Sequence, residues 1–121
     1  NIGTAFTRYA GLSSQGFVLK GLFDVRPQVV GGAIEGIPVR HVADLEAFCR
    51  SEGVAIGIIT VPSDAAQEVA DALTRGGVRA ILNVAPVTLN IPMGVSVRNV
   101  DITNELRLLS YMLLAGRSAE P

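Results

Sequence analysis

The spacing of hydrophobic positions changes period repeatedly along the chain. Ile2, Ala5, Phe6, Tyr9 and Ala10 recur at three- and four-residue intervals, which predicts an amphipathic helix ending near Gly11. FVLKGLFDV, from Phe17 to Val25, is an apolar, partly β-branched run that reads as a strand. A turn-rich patch with Pro27, Gly31, Gly32 and Gly36 follows, and PVRH (Pro38 to His41) reads as a further short strand. Ala43 to Glu52 then reads as a helix closed by Gly53.

The rhythm sharpens over the next segment. VAIGIITV (Val54 to Val61) is predicted as a strand, Ser63 to Arg75 as a helix and RAILNV (Arg79 to Val84) as a strand. Ser63 or Asp64 is a natural N-cap and Gly76-Gly77 a natural stop, so this βαβ unit carries its own boundaries. Neither strand alternates cleanly with polar residues, as expected when helices cover both faces of a parallel sheet. The fold class is therefore α/β, a Rossmann-like doubly wound parallel sheet. Near the end, Ile102, Leu106, Leu109 and Leu113 form one helical stripe and Leu108, Met112 and Ala115 a second. A terminal helix apolar on so much of its circumference calls for a partner surface. The expected organisation is a partial dinucleotide-binding domain over 1–100, a dimerisation helix over 101–116 and a tail over 117–121.

Composition narrows the picture. At 121 residues, with 49% apolar and 17% charged, the chain makes one domain able to bury a core. A formal net charge of -1, without any Lys/Arg cluster, argues against nucleic-acid binding by this segment itself. Cys49 is the single cysteine, which excludes a disulfide framework or cysteine metal site within one chain and suits a reducing cytoplasm. No run of 18 apolar residues suggests a membrane span, and no secretory signal is legible.

The candidate chemistry concerns binding. In a dinucleotide-binding βαβ unit a strand leads into G-x-G-x-x-G, and an acidic residue about 20 positions later, at the end of the second strand, takes the adenosine ribose. Gly3 before a helix and Asp24 at a strand end, 21 positions apart, match the last glycine and that carboxylate. The plainer reading makes Gly3 a loop glycine and Asp24 a turn residue. A carboxylate at this place favours NAD(H) over NADP(H), whereas Arg26, two residues on, suits a 2′-phosphate. Ligands of open parallel sheets lie beyond the carboxyl ends of strands, so TVPSD (Thr60 to Asp64) and NVAP (Asn83 to Pro86) should rim the same crevice. Pro62 and Pro86 equally well do no more than end their strands. His41, the single histidine, has no nucleophile near it in sequence, and neither Tyr9 nor Tyr111 has a lysine four residues on. No catalytic or metal-binding set is apparent, and the site is read as one that binds without converting.

GLFDV, VPSDAAQEVADALTRGGVRAILNVAP and NVDITNELRLLSYML together resemble the C-terminal domain of the Rex family of redox-sensing transcriptional repressors. The resemblance covers essentially the whole chain. It implies a domain that senses NADH against NAD⁺, a homodimer whose C-terminal helix swaps onto the partner, and operator DNA bound by a preceding winged-helix domain. By the same resemblance Asn1, Ile2 and Gly3 end the glycine motif and Asp24 holds the adenosine ribose. Thr60, Val61 and Pro62 line the pyrophosphate and adenosine side, while Asn83, Ala85 and Pro86 approach the nicotinamide. Tyr9 and Asp101 match positions that meet across the dimer in the ligand-dependent switch, and Ile102 one near the partner's nicotinamide. Asp101 also reads simply as the N-cap of the last helix. Where Val84 stands, the family usually has an aromatic residue.

The first strand and first two glycines of such a fold are not legible in the sequence. In a 3-2-1-4-5-6 sheet that strand is central, and its absence would leave several backbone groups unpaired at about 1–3 kcal/mol each. The expectation is a piece of a longer protein, or another segment filling the gap. Two other readings stay open: the CoA-binding domain of an acyl-CoA ligase, with the same strand and helix rhythm, and an NAD-dependent dehydrogenase. Asp24 and the apolar final helix speak against the first, the lack of acid–base residues against the second.

Overall fold

Strands and helices alternate in the computed structural model, which describes residues 13–119 together with Thr4 and Arg8. In chain order they are β1 (Leu22–Asp24), β2 (Ala33–Ile34), β3 (Ile37–His41), a 3-10 turn (Val42–Asp44), α1 (Leu45–Glu52), β4 (Ile56–Ile59), α2 (Ser63–Arg75), β5 (Ala80–Asn83), β6 (Ser96–Asn99) and α3 (Ile102–Ala119). The α/β class and the parallel βαβ unit stand as expected. The helix predicted over the first residues lies outside the described residues, apart from Thr4 and Arg8, which are helical.

One sheet has the order β1-β3-β2 and a second the order β4-β5-β6. β1 runs parallel to β3 with Leu22 opposite Val39 and Asp24 opposite His41. β2 and β3 form a hairpin that was not predicted, with Ile34 opposite Ile37. Its two-residue turn places Glu35 at φ 51° and Gly36 at φ 79°, the paired positive angles that match strand twist. β1 is much shorter than the predicted run from Phe17 to Val25. Its ladder extends only along Val39 to His41, and Phe17, Val18 and Leu19 are exposed. Among the described residues β1 and β4 are each hydrogen-bonded along one edge, so the expected single sheet is two.

Both sheets nevertheless serve one core. Phe23 and Val25 from β1 and its end pack with Val54 and Val61, which flank β4, against a buried cluster. α2 supplies Ala66, Val69, Ala70 and Leu73 to that cluster at the spacing of one helical face. Leu45 and Cys49 of α1 and Ile59 and Ile81 of the second sheet complete its centre. Two glycines allow these layers to close. A Cβ on Gly57 would meet the Leu73 side chain at 2.6 Å, and one on Gly76 would meet Cys49 Cβ at 2.7 Å and the Glu46 carbonyl at 2.9 Å.

The start of α2 differs from expectation. Pro62 holds the N-cap position with no side-chain cap, its carbonyl accepting from the Ala65 N–H at 2.9 Å, and Ser63 is already helical. β6 was not predicted either. It pairs with β5 in parallel, with Asn83 opposite Asn99.

Two apolar surfaces remain open among the described residues. On β4, Gly57 and Ile59 face α2 and are buried, whereas Ile56 and Ile58 point to the other side and are 47% and 39% exposed. On α3 every residue from Ile102 to Gly116 is exposed. This helix runs through Ala119, beyond the predicted limit at 116, because Gly116 is accommodated in the helix and the first proline comes only at position 121.

Candidate functional site

At the carboxyl end of β1, Asp24 is bound by its second neighbour. Arg26 donates from Nη2 to Oδ2 at 2.8 Å and from Nε to Oδ1 at 3.1 Å, and its backbone N–H donates to Oδ1 at 2.9 Å. These bonds, the side-chain ones foremost, hold the Asp24 carboxyl below the usual carboxylate range and push the Arg26 guanidinium up. The Asp24 side chain is 16% exposed and that of Arg26 43%, so a carboxylate edge and a cation are presented together at the surface.

At the second sheet the parallel register brings Ile59, Asn83 and Asn99 level. Thr60, Val84 and Val100 therefore leave the sheet side by side, and the Val84 N–H donates to the Ile59 carbonyl at 2.9 Å. Asn83 is buried to 1% exposure beneath this rim. Its Oδ1 accepts from the Ala85 N–H at 3.0 Å. Its Nδ2 serves the carbonyls of Ala85 (3.2 Å) and Val87 (3.0 Å) and Asn99 Oδ1 (3.1 Å). Two amide hydrogens thus serve three acceptors. Asn83 holds the shape of the loop that carries Ala85 and Pro86 instead of presenting its amide at the surface.

Gln67 on α2 is a second positioning residue, and it was not singled out from the sequence. Its Nε2 donates to the Asn90 carbonyl at 2.9 Å and its Oε1 accepts from the Asn90 N–H at 2.7 Å. The side-chain amide pairs with one residue's backbone as a neighbouring strand would, and it anchors the far end of the loop after β5. The signal available was a lone amide in a helix otherwise rich in alanine.

Asp101 caps α3, its Oδ1 accepting from the Asn104 N–H at 3.0 Å and its carbonyl from the Glu105 N–H at 3.0 Å. An open depression of about 330 Å³ lies between Ala85 and Pro86 on one side and Asn99 and Asp101 on the other. The structure so brings together Ala85, Pro86 and Asp101, three residues singled out from the sequence, and adds Asn99, which was not. Thr60 and Val61 are half-buried at the rim and Pro62 exposed. Ile102 and Leu109 are exposed on α3. Gly3 and Tyr9 lie outside the described residues.

His41 has a local role, its Nδ1 accepting from the Ala43 N–H at 2.9 Å to cap the 3-10 turn. Cys49 is buried between α1 and α2, and burial pushes its thiol up. Among the described residues no three His, Cys, Asp or Glu side chains are grouped to hold a metal ion. No helix among them is long and apolar enough to cross a membrane.

Comparison with known proteins extends the geometry. The CoA binding domain family matches residues 1–87. A redox-sensing transcriptional repressor Rex of Streptomyces coelicolor is 45% identical over 111 residues, 92% of this chain and 43% of that protein. The Rex of Natranaerobius thermophilus is 48% identical over 111 residues, 92% of this chain and 51% of its own length. The chain spans about half the length of the curated relatives it matches. Among solved structures, RSP, a Rex-family repressor in complex with β-NADH, superposes with a TM-score of 0.87 at 37% identity, covering 97% of this chain and 56% of RSP. RSP in complex with β-NAD⁺ and operator DNA gives a TM-score of 0.90, with 97% and 54% covered.

Proposed function

The chain belongs to the CoA binding domain family and resembles the Rex repressors over 92% of its length, and from this we propose that it is the NADH-sensing domain of a redox-responsive transcriptional repressor. Its role is regulatory and not enzymatic. Binding of NADH relieves the hold on operator DNA of a winged-helix domain outside this chain, in the cytoplasm.

The observation that carries the reading is the Asp24 carboxylate at the end of β1. It already accepts a two-pronged donor, the Arg26 fork, and a ribose 2′,3′-diol is a two-pronged donor of similar reach. The residues present fit a dinucleotide. Asp24 takes the adenosine ribose, Thr60, Val61 and Pro62 the adenosine and pyrophosphate side, and the loop of Ala85 and Pro86, shaped by Asn83, approaches the nicotinamide. Gly3 is assigned to the pyrophosphate as the last glycine of the motif. Coenzyme A suits the site less well, since its ribose carries a 3′-phosphate that a carboxylate would repel.

The same proposal gives the exposed apolar surfaces a use. α3, with Ile102 and Leu109, lies against a second copy in a homodimer. Tyr9 and Asp101 meet across that dimer in the step that couples NADH to DNA.

The test is a fluorescence titration of the full-length protein with NADH and NADPH. NADH should bind more tightly, and Asp24→Ala should lose about 1.5–3 kcal/mol, roughly tenfold or more in affinity. Equal affinities for the two nucleotides in the wild type would remove the ribose assignment.

A further inference from the structure

The Asp24–Arg26 pair is more than a neighbour contact, because of how the acceptor positions are used. A carboxylate oxygen offers two lone pairs. Both on Oδ1 are engaged, one by the Arg26 backbone N–H at 2.9 Å and one by Nε at 3.1 Å, while Oδ2 takes Nη2 at 2.8 Å. A ribose diol bound by a carboxylate donates one hydrogen bond to each oxygen. With the guanidinium in place, Oδ1 has no lone pair left for a hydroxyl. The backbone N–H is fixed by the chain, so it is the side-chain fork that must leave. At 43% exposure the Arg26 side chain has room to do so.

We propose that Arg26 is a specificity-determining latch, its guanidinium and an adenosine ribose taking turns on the Asp24 carboxylate. The inference rests on the assignment of Asp24 to the ribose. When NADH binds, the fork is displaced and its hydrogen bonds to Asp24 are exchanged for those of the diol. When a 2′-phosphorylated nucleotide binds, the displaced cation stands beside the phosphate and offsets the repulsion from Asp24. Arg26 thus weakens the binding of NADH and strengthens that of NADPH, narrowing the discrimination that Asp24 alone would impose.

Opposite shifts for the two nucleotides distinguish a latch from general damage to the site. The experiment titrates the full-length wild type, Arg26→Ala, Asp24→Ala and the double variant with NADH and with NADPH, following nicotinamide fluorescence. Arg26→Ala should bind NADH about two- to fivefold more tightly, the scale of an exposed ion pair, and NADPH more weakly by a similar factor. In the Asp24→Ala background the gain for NADH should vanish, since there is nothing left to unlatch. A wild type that binds NADH but whose Arg26→Ala variant binds both nucleotides unchanged, or shifts both in the same direction, would overturn the latch and leave the ribose assignment standing. A gain for NADH that persists without Asp24 would overturn it equally. A wild type that binds neither nucleotide would overturn the assignment, and the latch with it.

Discussion

Asn83 donates from its side-chain amide to the side-chain carbonyl of Asn99 at 3.1 Å, joining the ends of β5 and β6. That bond connects the loop of Ala85 and Pro86 to the short link, Val100, that leads into Asp101 and α3. Asn83→Asp keeps the shape and the acceptor for the Ala85 N–H but removes the donor and sets a buried carboxylate oxygen against the carbonyls of Ala85 and Val87 and Asn99 Oδ1. The variant should lose about 2–4 kcal/mol in urea unfolding of the full-length protein. A loss of a few tenths of a kcal/mol would show that the network contributes little.

Gly76, the residue that ends α2, lies directly against α1. Gly76→Ala would drive a methyl group against the Glu46 carbonyl and Cys49 Cβ, and should cost about 1–3 kcal/mol from overpacking. Gly116→Ala is the matched control, because a Cβ there meets nothing within 4 Å and alanine is the better helix former. Thermal denaturation of both variants should show opposite signs.

Alkaline pH should weaken the fold through Cys49. Burial raises the folded thiol's value, so the unfolded chain ionises first as pH rises. The stabilisation is whole below the unfolded thiol's value of roughly 8.5 and is lost as pH climbs from there through the folded value. Urea midpoints should fall between pH 8 and pH 10, and Cys49→Ala, less stable at pH 7, should lose less over that interval. Equal slopes would assign the alkaline loss to other groups.

Asp101 caps α3 and borders the depression beside Ala85 and Pro86. If it also switches partners across the dimer, Asp101→Ala in the full-length protein should leave dimerisation largely intact but reduce the effect of NADH on operator affinity. Linkage requires the effect of DNA on NADH affinity to fall by the same factor. DNA-binding titrations with and without saturating NADH check this, and an undiminished effect would leave Asp101 as a helix cap alone.

Much of this was legible in the sequence where local signals agreed. The unit from 54 to 84 combined apolar strands, a helix with one buried face and glycines at its close, and α2 spans Ser63–Arg75 as read. Legibility failed where pairing decides structure. The β2–β3 hairpin turns through Glu35-Gly36, without the Asn-Gly or Asp-Gly that ordinarily announces such a turn. β6 is a short strand with a half-buried Val97 among exposed neighbours, so its hydrophobic pattern is faint. Asp24 was singled out by its spacing from Gly3, but the Arg26 fork and the Asn83–Asn99 bond depend on side-chain geometry that spacing does not encode. Asn83 was singled out as a polar residue at a strand end, and its burial beneath the rim makes it a support for the loop that follows.

The exposure of α3 has a kinetic meaning. A lone helix of 18 residues is marginal in water, and its stability in proteins comes chiefly from a packed apolar face. If a second copy supplies that face, the order of the last segment and the encounter of two chains are one event, second order in protein. The helix then acts as a concentration gauge: dilution should melt it at constant temperature while the core of α1, α2 and the second sheet persists.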